Sequence, residues 1–135
     1  MFSIVAEPAR KLVRIEITGM LTKAEVADFY RQEHAAVAAM RCKLGEHLAL
    51  VDLRECALQL QDVAAMFAQE IQSEAGARKL ALVTGGSAVR MQARRILTRS
   101  AAGLFDTIER AEEWLFDEQD APRPERPRSA TDQQQ

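Results

Sequence analysis

The sequence predicts an α/β fold, a mixed sheet of four or five strands with about four helices mainly on one face. Three observations carry this. His47 to Leu53 is a short apolar run ending in a carboxylate, which reads as a strand covered on both faces. Lys79-Leu80-Ala81-Leu82-Val83 is a second run of the same kind. Apolar stripes at helical spacing lie before, between and after the two runs, so strands and helices alternate.

The opening reads as a hairpin. Phe2 to Ala6 is one strand, Glu7-Pro8-Ala9-Arg10 the turn, and Leu12 to Ile17 the return, where Val13, Ile15 and Ile17 alternate with Leu12, Arg14 and Glu16. The return strand is expected beside His47–Leu53. Thr22-Lys23-Ala24-Glu25 has capping-box spacing, and a helix follows to about Arg41 with Val26, Phe29, Tyr30, Val37 and Met40 on one stripe. Gly45 leads into the central strand. A second helix starts near Leu60, with Leu60, Val63, Phe67 and Ile71 as its buried seam, and Gly76 stands where a left-handed cap is wanted. Thr84-Gly85-Gly86-Ser87 turns the chain into a third helix, with Ser87 as N-cap and Val89, Ala93, Ile96 and Leu97 facing inward. Arg90, Arg94, Arg95 and Arg99 flank that face. Leu104-Phe105 is a short edge strand, and Asp106 or Thr107 caps a fourth helix carrying Ile108, Ala111, Trp114 and Leu115. Val51, Phe67, Leu82, Ile96 and Trp114 are expected to be buried together. One domain spans residues 1–116, and the polar, Pro-rich segment 117–135 is expected to be a solvated, disordered tail.

Composition narrows the partners. A chain of 135 residues, 47% hydrophobic, buries a core without disulfides or metals. A formal charge of −2, from 18 basic and 20 acidic side chains, argues against a nucleic-acid partner. No stretch approaches the ~18 apolar residues of a membrane span, and the opening is too short for a signal peptide. A cytoplasmic location is therefore expected, with Cys42 and Cys56 as reduced thiols. His34 and His47 lack a third ligand at metal spacing, so neither metal nor cofactor is expected. No nucleophile, base and orienter stand in a recognisable set.

Ile17-Thr18-Gly19 before the first helix, Leu50-Val51-Asp52-Leu53, Leu80-Ala81-Leu82-Val83 and the closing Phe105-Asp106-Thr107-Ile108-Glu109-Arg110-Ala111-Glu112-Glu113-Trp114-Leu115 carry a family resemblance. Together they resemble the SpoIIAA-like STAS family, the fold of bacterial anti-sigma-factor antagonists, and a soluble branch grouped with CRAL-TRIO-type lipid-binding domains. The resemblance implies that fold. Regulatory STAS proteins carry Asp-Ser-Ser/Thr-Gly at the start of the helix after the middle strand, and a partner kinase phosphorylates its hydroxyl. Counted from Asp52, those positions here read Leu60-Gln61-Asp62-Val63. The acceptor position is Asp62, so the phosphorylation switch is not expected.

Several residues are candidates for binding. Glu33 is centred on an apolar stripe with Tyr30 and His34 beside it, and a buried carboxylate must be paired or protonated. The plain alternative is that the helix rotates and Glu33 snorkels to solvent. Asp52, at a strand's C-terminal end, either meets a ligand or caps local amides. Gly85, Gly86 and Arg90 form either an anion cradle or a simple turn. Asp62, Gln61 and Ala65 present a polar face with a small apolar centre to a protein partner, or Asp62 serves only the helix dipole. The expected function is a non-enzymatic binding or regulatory domain for a protein partner or a small apolar or anionic ligand, lipid included. The rivals are an enzyme using Glu33, Tyr30 and Asp52 in a pocket between the first helix and the sheet, and a ligand-free structural homodimer. An exposed sheet edge and Met66 and Met91, opposite their seams, favour association.

Overall fold

The two covered strands sit at the centre of the molecule, and the chain is built outward from them. In this computed structural model residues 1–97 and 101–117 are described. The expectations for Arg99 and for the tail beyond residue 117 lie outside them. The order is β1 (Phe2–Glu7), a 3₁₀ turn, β2 (Leu12–Ile17), α1 (Lys23–Ala39), β3 (Leu48–Leu53), α2 (Gln61–Gln72), β4 (Lys79–Thr84), α3 (Ser87–Ile96), β5 (Ala102–Phe105) and α4 (Ile108–Leu115). The strands lie side by side in chain order. β1 and β2 form the antiparallel hairpin, and every later pairing is parallel, with Ile15 opposite Val51 and Val51 opposite Leu82. Parallel neighbours need a crossover, and α1, α2 and α3 supply the three, while α4 follows the last strand.

The pleat divides the sheet's apolar residues into two layers. Val13, Ile15, Ile17, Ala49, Val51, Leu80 and Leu82 face the side of α1, α2 and α3. Leu12, Leu48, Leu50, Ala81 and Val83 face α4 through its Ala111 and Leu115. The backbone of α2 runs closest to its neighbours α1 and α3, and it reaches the strand layer through Val63, Phe67 and Ile71.

Local signals set the boundaries. Thr22 and Glu25 form the full capping box, and Thr107 accepts the Arg110 N–H to start α4. Elsewhere the ends differ from expectation. Leu60 is the extended N-cap of α2 and is 59% exposed, because the helix begins one residue later and leaves it off the seam. Gly86, with no side-chain cap, precedes α3, and Ser87 is already helical. Gly76 does not end α2; Ser73 does, in extended backbone, with its hydroxyl bonded to Glu70 O and accepting Ala75 N–H. The left-handed positions among the described residues are Lys11, Gly19, Arg41 and Gly45.

The expected five-residue core is split. Val51 and Leu82 are buried on the α1 side with Phe67 half-buried against them, and Ile96 is half-buried at the wall of α3. Trp114 lies on the far face, stacked on Phe105 at 5.4 Å. Alternation puts a strand's neighbours on opposite faces, and α4 covers the other one. Met66 packs partly into the core, whereas Met91 is 58% exposed.

Gly45 joins two loops at one end of the sheet. Its φ is +92°, and a Cβ there would lie 2.7 Å from the carbonyl oxygen of Glu74. Gly45→Ala is expected to cost ~2–3 kcal/mol in a denaturant melt, from both strain and collision. Gly86→Ser, with no neighbour in reach, is expected to leave stability unchanged or raise it by ~0.5 kcal/mol through a new cap. Equal losses at the two glycines would contradict this packing.

Candidate functional site

Because α2 stands off the sheet, an apolar cavity of about 100 Å³ opens beneath it. One water needs only ~10–15 Å³, so the space admits a small organic molecule. Its floor is Ile15, Ile17, Ala49, Val51 and Leu82 from the strands, and its roof is Phe67 and Ile71 of α2. Val89, Ala93 and Ile96 of α3 close one side, and Phe29 and Tyr30 of α1 the other. Small side chains at Ala49 and Ala93 keep the space from filling. The aromatic wall is interlocked: Phe29 meets Tyr30 at 4.8 Å and Phe67 at 6.0 Å, and Tyr30 meets Phe67 at 5.9 Å, all near edge-to-face.

Polar groups gather between α1 and α2. Glu33 shares the inward stripe of Val26, Phe29 and Val37 and is only 8% exposed, so the snorkelling alternative fails: α1 presents this carboxylate to the interior. His47 Nε2 stands 3.8 Å from Glu33 Oε2, beyond hydrogen-bond length. His47 is 1% exposed, and neither of its ring nitrogens has a hydrogen-bond partner among the described residues. His34 does not line the cavity; its Nε2 meets Glu70 Oε2 at 2.8 Å, bridging α1 to α2. Burial above all, then the carboxylates of Glu33 and Glu70, push the Tyr30 phenol well above its usual range. Tyr30 therefore stays neutral and able to donate a hydrogen bond.

A glutamine holds the opposite end. Gln59 accepts the Leu21 N–H at 2.8 Å and donates to Gly19 O and Ala57 O at 3.0 and 2.7 Å. It also exchanges bonds with Gln92 of α3, its N–H donating at 2.9 Å and its carbonyl accepting at 2.8 Å. The two loops before α1 and before α2, together with α3, are thereby fixed around one residue. Cys56 lines the cavity here, and burial raises its thiol pKa despite a bond from Gln59. It is a poor nucleophile.

Asp52 does not join Glu33 and Tyr30. It sits on the other face of β3, in line with Leu48 and Leu50, and its carboxylate is held by its own loop. Oδ1 accepts from Arg54 N and Nε at 3.0 and 2.9 Å, and Oδ2 accepts from Nη2 at 2.8 Å. The enzyme reading loses one of its three residues by this geometry. Gly85 allows close packing, since a Cβ would lie 3.3 Å from Arg54 O, and the Arg90 guanidinium turns to the Thr84 hydroxyl at 3.4 Å. Gln61, Asp62 and Ala65 line an open groove between α2 and α3 together with Arg95 and Ile96. Asp62 accepts the Val63 N–H at 2.8 Å in the first turn. Among the described residues no three His, Cys, Asp or Glu side chains are placed to hold a metal ion, and no helix is long and apolar enough to cross a membrane.

Glu70, Cys56, Gln59 and Gln92 as cavity residues, and the burial of His47, escaped the sequence reading. Glu70 carried a usable signal, since it follows Phe67 by three positions and precedes Ile71 on the same seam. Gln59 and Gln92 carried none, because their partners are distant in sequence.

Arg54 holds the Asp52 carboxyl below its usual range, chiefly through side-chain hydrogen bonds. A lowered folded value contributes stability above the unfolded pKa of ~4 and loses it as pH falls through the folded one. Asp52→Asn is thus expected to cost roughly 0.5–1 kcal/mol at neutral pH, solvent screening the half-exposed Arg54. The gap between variant and parent should narrow as pH falls below the unfolded value of ~4 in paired denaturant melts. A gap independent of pH would contradict the pairing.

No protein-family model and no curated protein matches this chain. Among solved structures it is similar to an uncharacterized protein of the DUF3478 family with a SpoIIAA-like fold, from Shewanella loihica PV-4. The two share 18% identity at a TM-score of 0.62, over 84% of this chain and 93% of that one. Likeness at this identity concerns the fold, and the fold of this chain is SpoIIAA-like: a mixed α/β sheet of five strands with four helices.

Proposed function

We propose that this chain is a non-enzymatic binding domain that takes a small, largely apolar molecule between α2 and the sheet. The carrying observation is the cavity itself. An apolar void of about 100 Å³ loses packing contacts, and a core with no ligand to hold would be expected to fill it. The residues around it bring an apolar lining, an aromatic wall and a few polar groups at one end, the usual composition of a ligand pocket. Against chemistry stands the lining's one thiol, which burial makes a weak nucleophile.

A second reading places a protein partner on the groove between α2 and α3. The observation that favours it is Asp62 at the rim of that groove. α2 contains no Ser, Thr or Tyr, so this face carries a fixed charge that phosphorylation of the helix cannot toggle. The open edge of β1, where Val5 is 58% exposed, offers a second copy of the chain a strand to pair with. Sedimentation at high micromolar concentration that gives a single chain mass would remove the homodimer.

Toluene tests the cavity reading. In amide-detected NMR it is expected to shift Ala49, Val51, Ile71 and Leu82 in a saturable manner. Ala93→Leu, which grows a side chain into the space, should abolish those shifts while changing stability by less than ~1.5 kcal/mol. Shifts scattered over the surface, or none near saturation, would overturn the reading.

A further inference from the structure

The polar end of the cavity is of one sign. Among the described residues that line it, the ionisable side chains are Tyr30, Glu33, Cys56 and Glu70, and no Lys, Arg or His is present. Glu70 has a partner in His34 at 2.8 Å. Glu33 differs. It is 8% exposed, no donor reaches it within hydrogen-bond distance among the described residues, and the imidazole nearest to it stands 3.8 Å away and is itself unpartnered. A ligand that brings a donor to this point completes a bond that the described residues leave unmade.

We propose that the cavity selects an amphiphile with a short apolar body and a protonated amine head, the ammonium donating to the Glu33 carboxylate. This rests on the ligand-binding reading above and gives the ligand its chemical class. Three features converge on a cation. The carboxylates Glu33 and Glu70 give a negative potential in a site of low dielectric, where charge complementarity counts for more than in water. The Tyr30 and Phe67 rings, 5.9 Å apart, offer π-faces to an ammonium beside them. The Tyr30 hydroxyl can accept from the same head. A carboxylate-headed amphiphile of the same length would meet two carboxylates in a lining without Lys, Arg or His, the imidazoles of His34 and His47 standing behind them. That is discrimination by repulsion as much as by attraction.

The test is a matched series of hexylamine, hexanol and hexanoate at about pH 7, titrated into the full chain and followed at the amides of Ala49, Val51 and Leu82. The amine is expected to bind tightest and hexanoate weakest, with at least roughly tenfold between them. In Glu33→Gln the advantage of the amine over the alcohol should vanish, while hexanol binds within about threefold of its parent value. Hexanoate equal to the amine, or an amine preference that survives Glu33→Gln, overturns the inference and leaves the cavity reading standing. Silence of all three ligands at the cavity amides overturns both. The ranking in the parent chain requires no variant, so the inference remains open to refutation even where Glu33→Gln does not fold.

Discussion

Lys79 begins β4 with its ammonium sealed from solvent, donating to the Trp114 carbonyl at the end of α4 and lying 4.3 Å above the Trp114 ring. α4 has eight residues, too few to persist alone in water. It is held at its start by the Thr107 cap, at its middle by the Arg14–Glu112 ion pair, and at its end by Lys79. The cation meets the negative end of the helix dipole, the favourable polarity. This short helix is the cover, among the described residues, for Leu12, Leu48, Leu50, Ala81 and Val83. With one face of the sheet closed by α4, three helices remain for the other. They can share it loosely enough that α2 spans from α1 to α3 without settling on the strands. The cavity is a consequence of that division of labour.

Charge is handled differently on the two faces. On the α4 side carboxylates are paired: Asp52 with Arg54, Glu7 with Arg10 and Arg14, Glu112 with Arg14. Those groups hold backbone and helices in register, and their bonds are complete. On the cavity side Glu33 and His47 approach each other without bonding. Natural cores rarely leave buried polar atoms unmatched, and the exceptions ask for an explanation in function. The candidate site is therefore bordered by His47, a buried side chain whose ring nitrogens have no hydrogen-bond partner among the described residues.

The element order, the strand pairing and two of the four helix starts could be read from the sequence, because they rest on local rules: period-two and period-3.6 apolar spacing, and the hydroxyls of Thr22 and Thr107. The layer to which each residue belongs could not. β3 and β4 are apolar on both faces, so their pattern contains no polar alternation to say which helix covers which side. Asp52 was grouped with Glu33, and Trp114 with Val51, for that reason. Strand parity alone places Asp52 with Leu48 and Leu50, but assigning that face to α4 takes the tertiary fold. Glu33 was legible as an anomaly and His47 was not, since its burial depends on α1 crossing above it. Leu60 and Gly76 failed at helix ends, where a shift of one residue moves a side chain off the seam.

Cys56 gives the cavity a built-in gauge. Its thiol sits in the lining with a raised pKa, and the chain's other cysteine, Cys42, is buried elsewhere. Alkylating reagents meet Cys56 half-buried at the cavity lining and must wait for a scarce thiolate. Its modification is accordingly slow, and slower still when something else occupies the space. Reaction rate at one native atom thus reports occupancy directly, with no fluorophore, engineered label or identified ligand.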